Sequence, residues 1–340
     1  MTSHAGEKGE ADLSKLAEGV YTHIGNPDGN DVSNSGVVVL ERCVLVYDTH
    51  FTPESGQALL RKIQAVTSKP VRYLVNSHFH PDHTHGNQAF GRIQHIISSS
   101  NARRDMMQKD QPALHRMLTV AQGQVDRMRK DLSKAESRDQ KDALQAQMKA
   151  REEFLARMSR LRIIFPTMTV DDSLCIHDGA REIRIFVPGP GHTDGDLVLF
   201  LPVEKVVFLG DLFFNGAFPN SQDADLLGWI KTLAEIIKLD AEKFVPGHGP
   251  VGTKKEVSDF LAYLEELKAL VEPAVSRGDS MDQVVRDTQM PAQYTSFGFP
   301  AFFPANVQKM YAELKSIQMA MPTVTGAETP RKVPPEKPRP

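Results

Sequence analysis

Short runs of apolar residues, several of them alternating with polar or small ones, are separated along this chain by stretches with helical spacing. Gly19–Ile24, Gly36–Leu40 and Cys43–Tyr47 read as β-strands, with the Gly/Asn/Asp/Ser-rich stretch 26–35 as the loop between the first two. Thr52-Pro53 opens a helix, Thr as N-cap and Pro at the first helical position, with Leu59, Ile63 and Val66 as its apolar stripe. Val71–Val75 is a short buried strand that ends just before a histidine cluster. Strands return at Ser173–His177, Glu182–Val187, Asp196–Leu201 and Val206–Leu209, followed by a helix over Asp223–Lys238, a strand at Lys243–Val245 and helices near 254–275 and 304–319.

Residues 103–161 differ from this pattern. Met117, Ala121, Val125, Met128, Leu132 and Ala135 recur at spacings of three and four, and Leu144, Met148, Leu155 and Met158 do so again after a polar break at Ser137–Lys141. The spacing predicts an inserted antiparallel pair of amphipathic helices, in preference to one long surface helix. Residues 1–17 read as a polar, disordered leader, and 321–340 as a disordered tail. Between them, 18–320 forms one α/β domain: two stacked β-α halves with helices outside two sheets.

Composition narrows the function classes. With 340 residues the chain can bury a large core, and a net charge of −3 argues against a nucleic-acid footprint. No run of about 18 apolar residues exists to span a membrane, and the polar N-terminus lacks a secretory core, so a cytoplasmic protein is expected. Cys43 and Cys175, both in apolar strand-like runs, are expected to be buried and reduced.

The chemistry concentrates in His78-Phe79-His80-Pro81-Asp82-His83, four potential metal ligands in six residues. On an extended backbone His78 and His80 point to one side. Pro81 then breaks the strand and turns Asp82 and His83 toward a neighbouring position. His192, Asp211 and His248 each stand just past an apolar strand and beside glycine, which lets the backbone turn and approach closely. Imidazoles and carboxylates in this number suit zinc or a similar divalent ion, and the spacing suggests two. The remaining seven histidines read first as ordinary surface or core residues. Asp48, ending a strand, is a candidate to fix a ligand imidazole, and His85 is a candidate second-layer or substrate-facing residue. Trp229 reads as core; Tyr294, Phe297, Phe299, Phe302 and Phe303 could pack the core or line a pocket.

These motifs, HxHxDH followed by a distant His, Asp and His, resemble the metallo-β-lactamase superfamily over roughly residues 19–270. The resemblance implies an αββα sandwich, here with an inserted helical hairpin. It further implies two metal ions, most simply zinc, with iron or manganese as alternatives. His78, His80 and His192 would hold the first, Asp82, His83 and His248 the second, and Asp211 would bridge them. The implied activity is attack on an ester, thioester, lactone or amide carbonyl by a metal-bound hydroxide, which Asp82 would orient or relieve of its proton. An aspartate at 211, where zinc lactamases usually carry Cys or Ser, turns the expectation away from β-lactam hydrolysis. β-Lactam hydrolysis itself, a single-iron persulfide dioxygenase, which needs only three of these ligands, and an assembly role for the insertion are the alternatives. A small-molecule substrate is expected, with no nucleic-acid or membrane partner, and a homo-oligomer through the insertion is a further option.

Overall fold

The computed structural model describes residues 13–29, 31–91 and 93–320, and the tail predicted at 321–340 lies outside them. Strands β1 (Ser14–Ala17), β2 (Val20–His23), β3 (Ser35–Val39) and β4 (Val44–Tyr47) form an antiparallel meander. Helix α1 (Pro53–Val66) then leads to β5 (Val71–Val75), which lies parallel to β4. As expected, Thr52 caps α1, in a capping box closed by Ser55. A single turn, α2 (Pro81–Thr84), carries the chain towards β6 (His95–Ser98).

A long helical excursion follows: α3 (Ser100–Asp105), a π-helical turn over Met106–Asp110, α4 (Gln111–Leu132) and α5 (Arg138–Met158). The chain returns through β7 (Met168–Thr169), which completes a seven-stranded sheet in the order β1 to β7. The second sheet comprises β8 (Ser173–Asp178), β9 (Arg181–Phe186), β10 (Val198–Leu201) and β11 (Val206–Phe214) in antiparallel order. Helix α6 (Leu226–Ile236) then precedes β12 (Lys243–His248), parallel to β11. Helices α7 (Lys254–Arg277), α8 (Met281–Asp287) and α9 (Phe302–Ala320) close the chain.

Strand alternation explains the layers. Val38, Leu45, Leu199 and Phe208 meet between the sheets, while their neighbours Val37, Val44 and Val46 face Leu59 and Ile63 of α1. On the far side Val198, Phe200 and Val207 pack against α6, α7 and α9 around Trp229. Trp229 is fully buried, as expected, and its indole N–H donates to the Leu212 carbonyl at 3.0 Å. Two sheets with helices on both outer faces are the predicted αββα sandwich.

Several boundaries differ from the sequence reading. Of the predicted leader, residues 1–12 lie outside the described residues, and Ser14–Ala17 is instead an edge strand whose main chain pairs with β2 and whose Leu16 and Ala17 touch the inter-sheet core. Two apolar residues are too few to signal a strand by periodicity. Strand β6 has two apolar residues and β7 one, and α8 is a seven-residue helix, too short for its spacing to stand out. The inserted helical run begins at Ser100, capped by Ser99, rather than at 103. Cys43 is buried as expected, but Cys175 is exposed on β8, which presents alternate residues to solvent; both thiols are free. Finally, Asp211 and His248 lie within β11 and β12, not past their ends. The register between these strands is irregular at Gly210 and again before Phe214, which turns Asp211 out of the ladder.

Candidate metal centre

The seven predicted residues converge at one end of the sandwich. His78, His80, His192 and Asp211 form one group, Asp82, His83 and His248 another, with the ligand-type atoms of each group within 4.8 Å of one another. Asp211 reaches both groups. Its Oδ2 lies 3.2 Å from His192 Nε2 and 3.8 Å from His78 Nε2; its Oδ1 lies 3.1 Å from His83 Nε2 and 3.3 Å from His248 Nε2.

Local structure produces this convergence. Val75 ends β5 in the core, and the chain emerges through Asn76 and Ser77 into the cluster. His80 is the N-cap residue of α2 with Pro81 inside the first turn, so the chain coils and sends Asp82 and His83 to the second group. Gly247 permits β12 to pass directly against Asp211: a Cβ there would overlap Asp211 Oδ1. The first hairpin loop seals the edge. Asn34 donates to the Pro246 and Gly249 carbonyls at 2.8 Å each, and Ser33 donates to the Asp82 carbonyl.

Four of the imidazoles are tied by one nitrogen and present the other inward. His83 Nδ1–H donates to Asp48 Oδ2 at 2.8 Å, the role expected of Asp48. Asp48 is buried with a φ of 59°, a strained conformation for a non-glycine residue, and its other oxygen accepts from the Ser77 amide at 2.7 Å. His80 Nε2–H donates to Asp223 at 3.2 Å, and His248 Nδ1–H to the Val32 carbonyl at 3.1 Å. His78 Nδ1 is bonded to the Ser77 hydroxyl at 2.9 Å. Anchoring of this kind sets tautomer and ring orientation at metal sites. We expect Asp48→Asn to lower zinc affinity about 10–100-fold, measured by competition with a chromophoric chelator; unchanged affinity would remove Asp48 from the site.

The donor set fits divalent cations. His78 Nε2, His83 Nε2 and Asp211 Oδ1 are buried without a well-directed hydrogen-bond partner among the described residues. Burial works against charge on His248, yet Asp211 and Asp82 outweigh it and push the imidazole up to about 10. Burial likewise opposes ionisation of Asp211, but His248, His83 and His192 hold its carboxyl well below the usual range. His78 and His192, by contrast, are pushed down by burial and stay neutral donors, while the Asp82 and Asp211 carboxylates leave a demand for positive charge that cations can meet.

A match to the Metallo-beta-lactamase superfamily covers residues 28–248. The chain belongs to the metallo-β-lactamase superfamily. Among its relatives, the linear primary-alkylsulfatase of Pseudomonas sp. (strain ATCC 19151) is 24% identical over 270 residues, which is 75% of this chain. The acyl-coenzyme A thioesterase of Homo sapiens is 31% identical over 98 residues, 27% of this chain. The match spans only 50% of the alkylsulfatase and 35% of the thioesterase. The solved metallo-β-lactamase from Pontibacter korlensis superposes with a TM-score of 0.55 at 20% identity, covering 75% of this chain and 98% of that one. The mono-zinc FIM-1 enzyme from Pseudomonas aeruginosa gives 0.53 at 18%, covering 76% and 96%. At these identities the structural likeness concerns the superfamily fold alone.

Some contributors escaped the sequence reading. Asp223 was assigned to a helix, but α6 starts three residues later, capped by Asp225, which leaves Asp223 in a loop facing His80. Phe299, with a φ of 57°, presents its ring edge-on to His248 at 5.9 Å, while Tyr294 and Phe303 of the same aromatic run are buried in the core. His85 does not line the centre. Its Nε2 lies 3.1 Å from both Asp110 oxygens and its ring stacks on Phe51, so it faces the insertion. No local signal in the sequence marks Asp110.

Proposed function

We propose that this protein is a hydrolase that uses two divalent metal ions, most simply zinc, to cleave an ester, thioester, lactone or amide at its carbonyl, with the cytoplasm as its setting. His78, His80 and His192 would hold one ion, Asp82, His83 and His248 the other, and Asp211 would serve both. The observation that carries this reading is the division of the two Asp211 oxygens between the two groups. When bound, such a pair supplies a water ionised near neutral pH and a Lewis acid for the charge that develops in acyl transfer.

The protein's own residues supply orientation and a route for the proton. Burial opposes charge on the Asp82 carboxyl, but His83 and His248 hold it well below the usual range, so it is a carboxylate at neutral pH. Its side chain keeps 23% exposure while His83 beside it is closed off, so it stands at the mouth to orient a water and to pass a proton on to solvent rather than to keep it. Asp48 and Asp223 hold the His83 and His80 rings. Phe214, stacked on His248 at 5.1 Å, and Phe299 give that side of the mouth an apolar wall.

A second reading, a sulfate ester as substrate, is favoured by the extent of the alkylsulfatase match, 75% of this chain against 27% for the thioesterase. One panel separates these readings: zinc-loaded and iron-loaded protein assayed with thioesters, lactones, β-lactams, alkyl sulfates and a persulfide, with and without chelator and oxygen. We expect turnover of a carbonyl substrate that chelator abolishes and oxygen does not affect. Turnover of alkyl sulfates alone supports the second reading. Oxygen-dependent turnover with one bound iron would replace both with a dioxygenase.

A further inference from the structure

The inserted hairpin is joined to the candidate metal centre through its π-helical turn. A π turn accommodates an extra residue within a helix and commonly marks a functional position. Here it sets two consecutive side chains, Lys109 and Asp110, against the domain. Lys109 Nζ lies 3.0 Å from Asp223 Oδ1, and Asp223 Oδ2 holds the Nε2–H of His80 at 3.2 Å. The ammonium is held from two other directions: the buried Asp105 carboxylate at 2.7 Å, and the face of Phe79 with its centroid at 4.9 Å. Phe79 stands between His78 and His80 and packs with Ala102 and Met106 at the base of the insertion. Asp110, itself buried, faces His85, which directly follows the turn carrying His83.

We propose that the π turn is a built-in support for both halves of the metal centre, with Lys109 as a positioning residue acting through Asp223 on His80. The proposal rests on the metal-binding reading given above and assigns the insertion a role in it. Asp223 is 22% exposed, so without a second partner its carboxylate can turn to solvent and release the His80 ring. An isolated surface ion pair would contribute little; a lysine fixed by a buried carboxylate and an aromatic face has less freedom to lose when it holds Asp223. Asp110 would restrain the His83 side in the same manner through His85. Both links are independent of substrate, so they act on ion affinity before they act on turnover.

The test is zinc affinity of the full-length chain, stripped of metal and titrated against a chromophoric chelator, with the cobalt absorption spectrum as a second readout. We expect two equivalents in the wild type. Lys109→Met should weaken one of the two sites about tenfold and change the cobalt spectrum; it also leaves the buried Asp105 carboxylate with Arg104 alone, so the stripped protein should melt lower and the affinities are compared well below its melting range. Lys109→Arg, which keeps the cation, should restore wild-type affinity. Asp110→Asn should weaken the other site. Wild-type affinities in Lys109→Met, within threefold, overturn the positioning role while the metal centre stands. Equal losses in Lys109→Met and Lys109→Arg also overturn it, because a cation at Asp223 would then not suffice. A wild type that takes up no zinc overturns the metal-centre reading and this inference together.

Discussion

Replacing Asp211 by alanine is expected to reduce hydrolysis about 10³-fold or more, equivalent to roughly 4 kcal/mol of lost transition-state stabilisation. The argument is geometric. Both candidate groups include an Asp211 oxygen within 3.3 Å of a histidine nitrogen, so the alanine deprives both at once. Loss of an outer-layer partner at a metal site costs about 10–100-fold, and a residue shared by two ions should cost more. Metal content should fall from two equivalents to one or fewer, read by elemental analysis of the dialysed protein. The fold should persist, since β11 keeps its main-chain pairing with β12. His80→Ala and Asp82→Ala should also abolish hydrolysis in a folded protein, each by damaging one group. Undiminished turnover in Asp211→Ala would refute the two-ion reading.

Gly247→Ala should be nearly as damaging although it adds only a methyl group. A Cβ at this position overlaps Asp211 Oδ1 and lies 2.8 Å from the Gly210 carbonyl carbon and 2.9 Å from the Asp211 amide nitrogen. The carboxylate must give way, and because the other two contacts are with main-chain atoms β11 and β12 must also move apart locally. Overpacking of this kind costs about 1–3 kcal/mol of stability. The larger effect is on function, because the displaced carboxylate is the one shared between the groups. We expect hydrolysis to fall at least a hundredfold, on the scale of losing a precisely placed active-site group, with a thermal midpoint lowered by several degrees. A variant that retains activity and both metal equivalents would show that movement of the strands alone makes room and that the close approach is incidental.

These two residues show how differently parts of the centre register in a sequence. Asp211 and Gly247 are both visible as a ligand type or a glycine in a strand-associated motif. Their mutual contact is not visible, because it depends on β11 and β12 pairing in parallel, with an irregular register, between residues 36 positions apart. Asp48 was legible because it ends a strand whose neighbour, β5, leads straight to the histidines. Asp223 was not, since its role depends on where α6 starts, and capping by Asp225 places that start three residues downstream. Lys109 belongs to a helix whose composition is ordinary for a solvated surface; only the π turn and the packing of Phe79 on Met106 bring it to the centre.

Local chemistry was therefore decided by the chain itself. The HxHxDH spacing on a strand end followed by a proline-initiated turn, the glycines beside His192, Asp211 and His248, and the period-two apolar runs require only neighbours in sequence. They determine the ligand types, a spacing that suggests two ions and a two-sheet core to carry them; which group His192, Asp211 and His248 join was implied only by the family resemblance. Tertiary structure decided which oxygen faces which imidazole, that Asp223 and Asp48 hold two of the rings, and that the inserted hairpin braces the centre through Lys109 and Asp110. Those are contacts between residues as much as 143 positions apart. They arise from how sheets, loops and one helical turn pack together, and packing leaves no periodic trace in a single sequence.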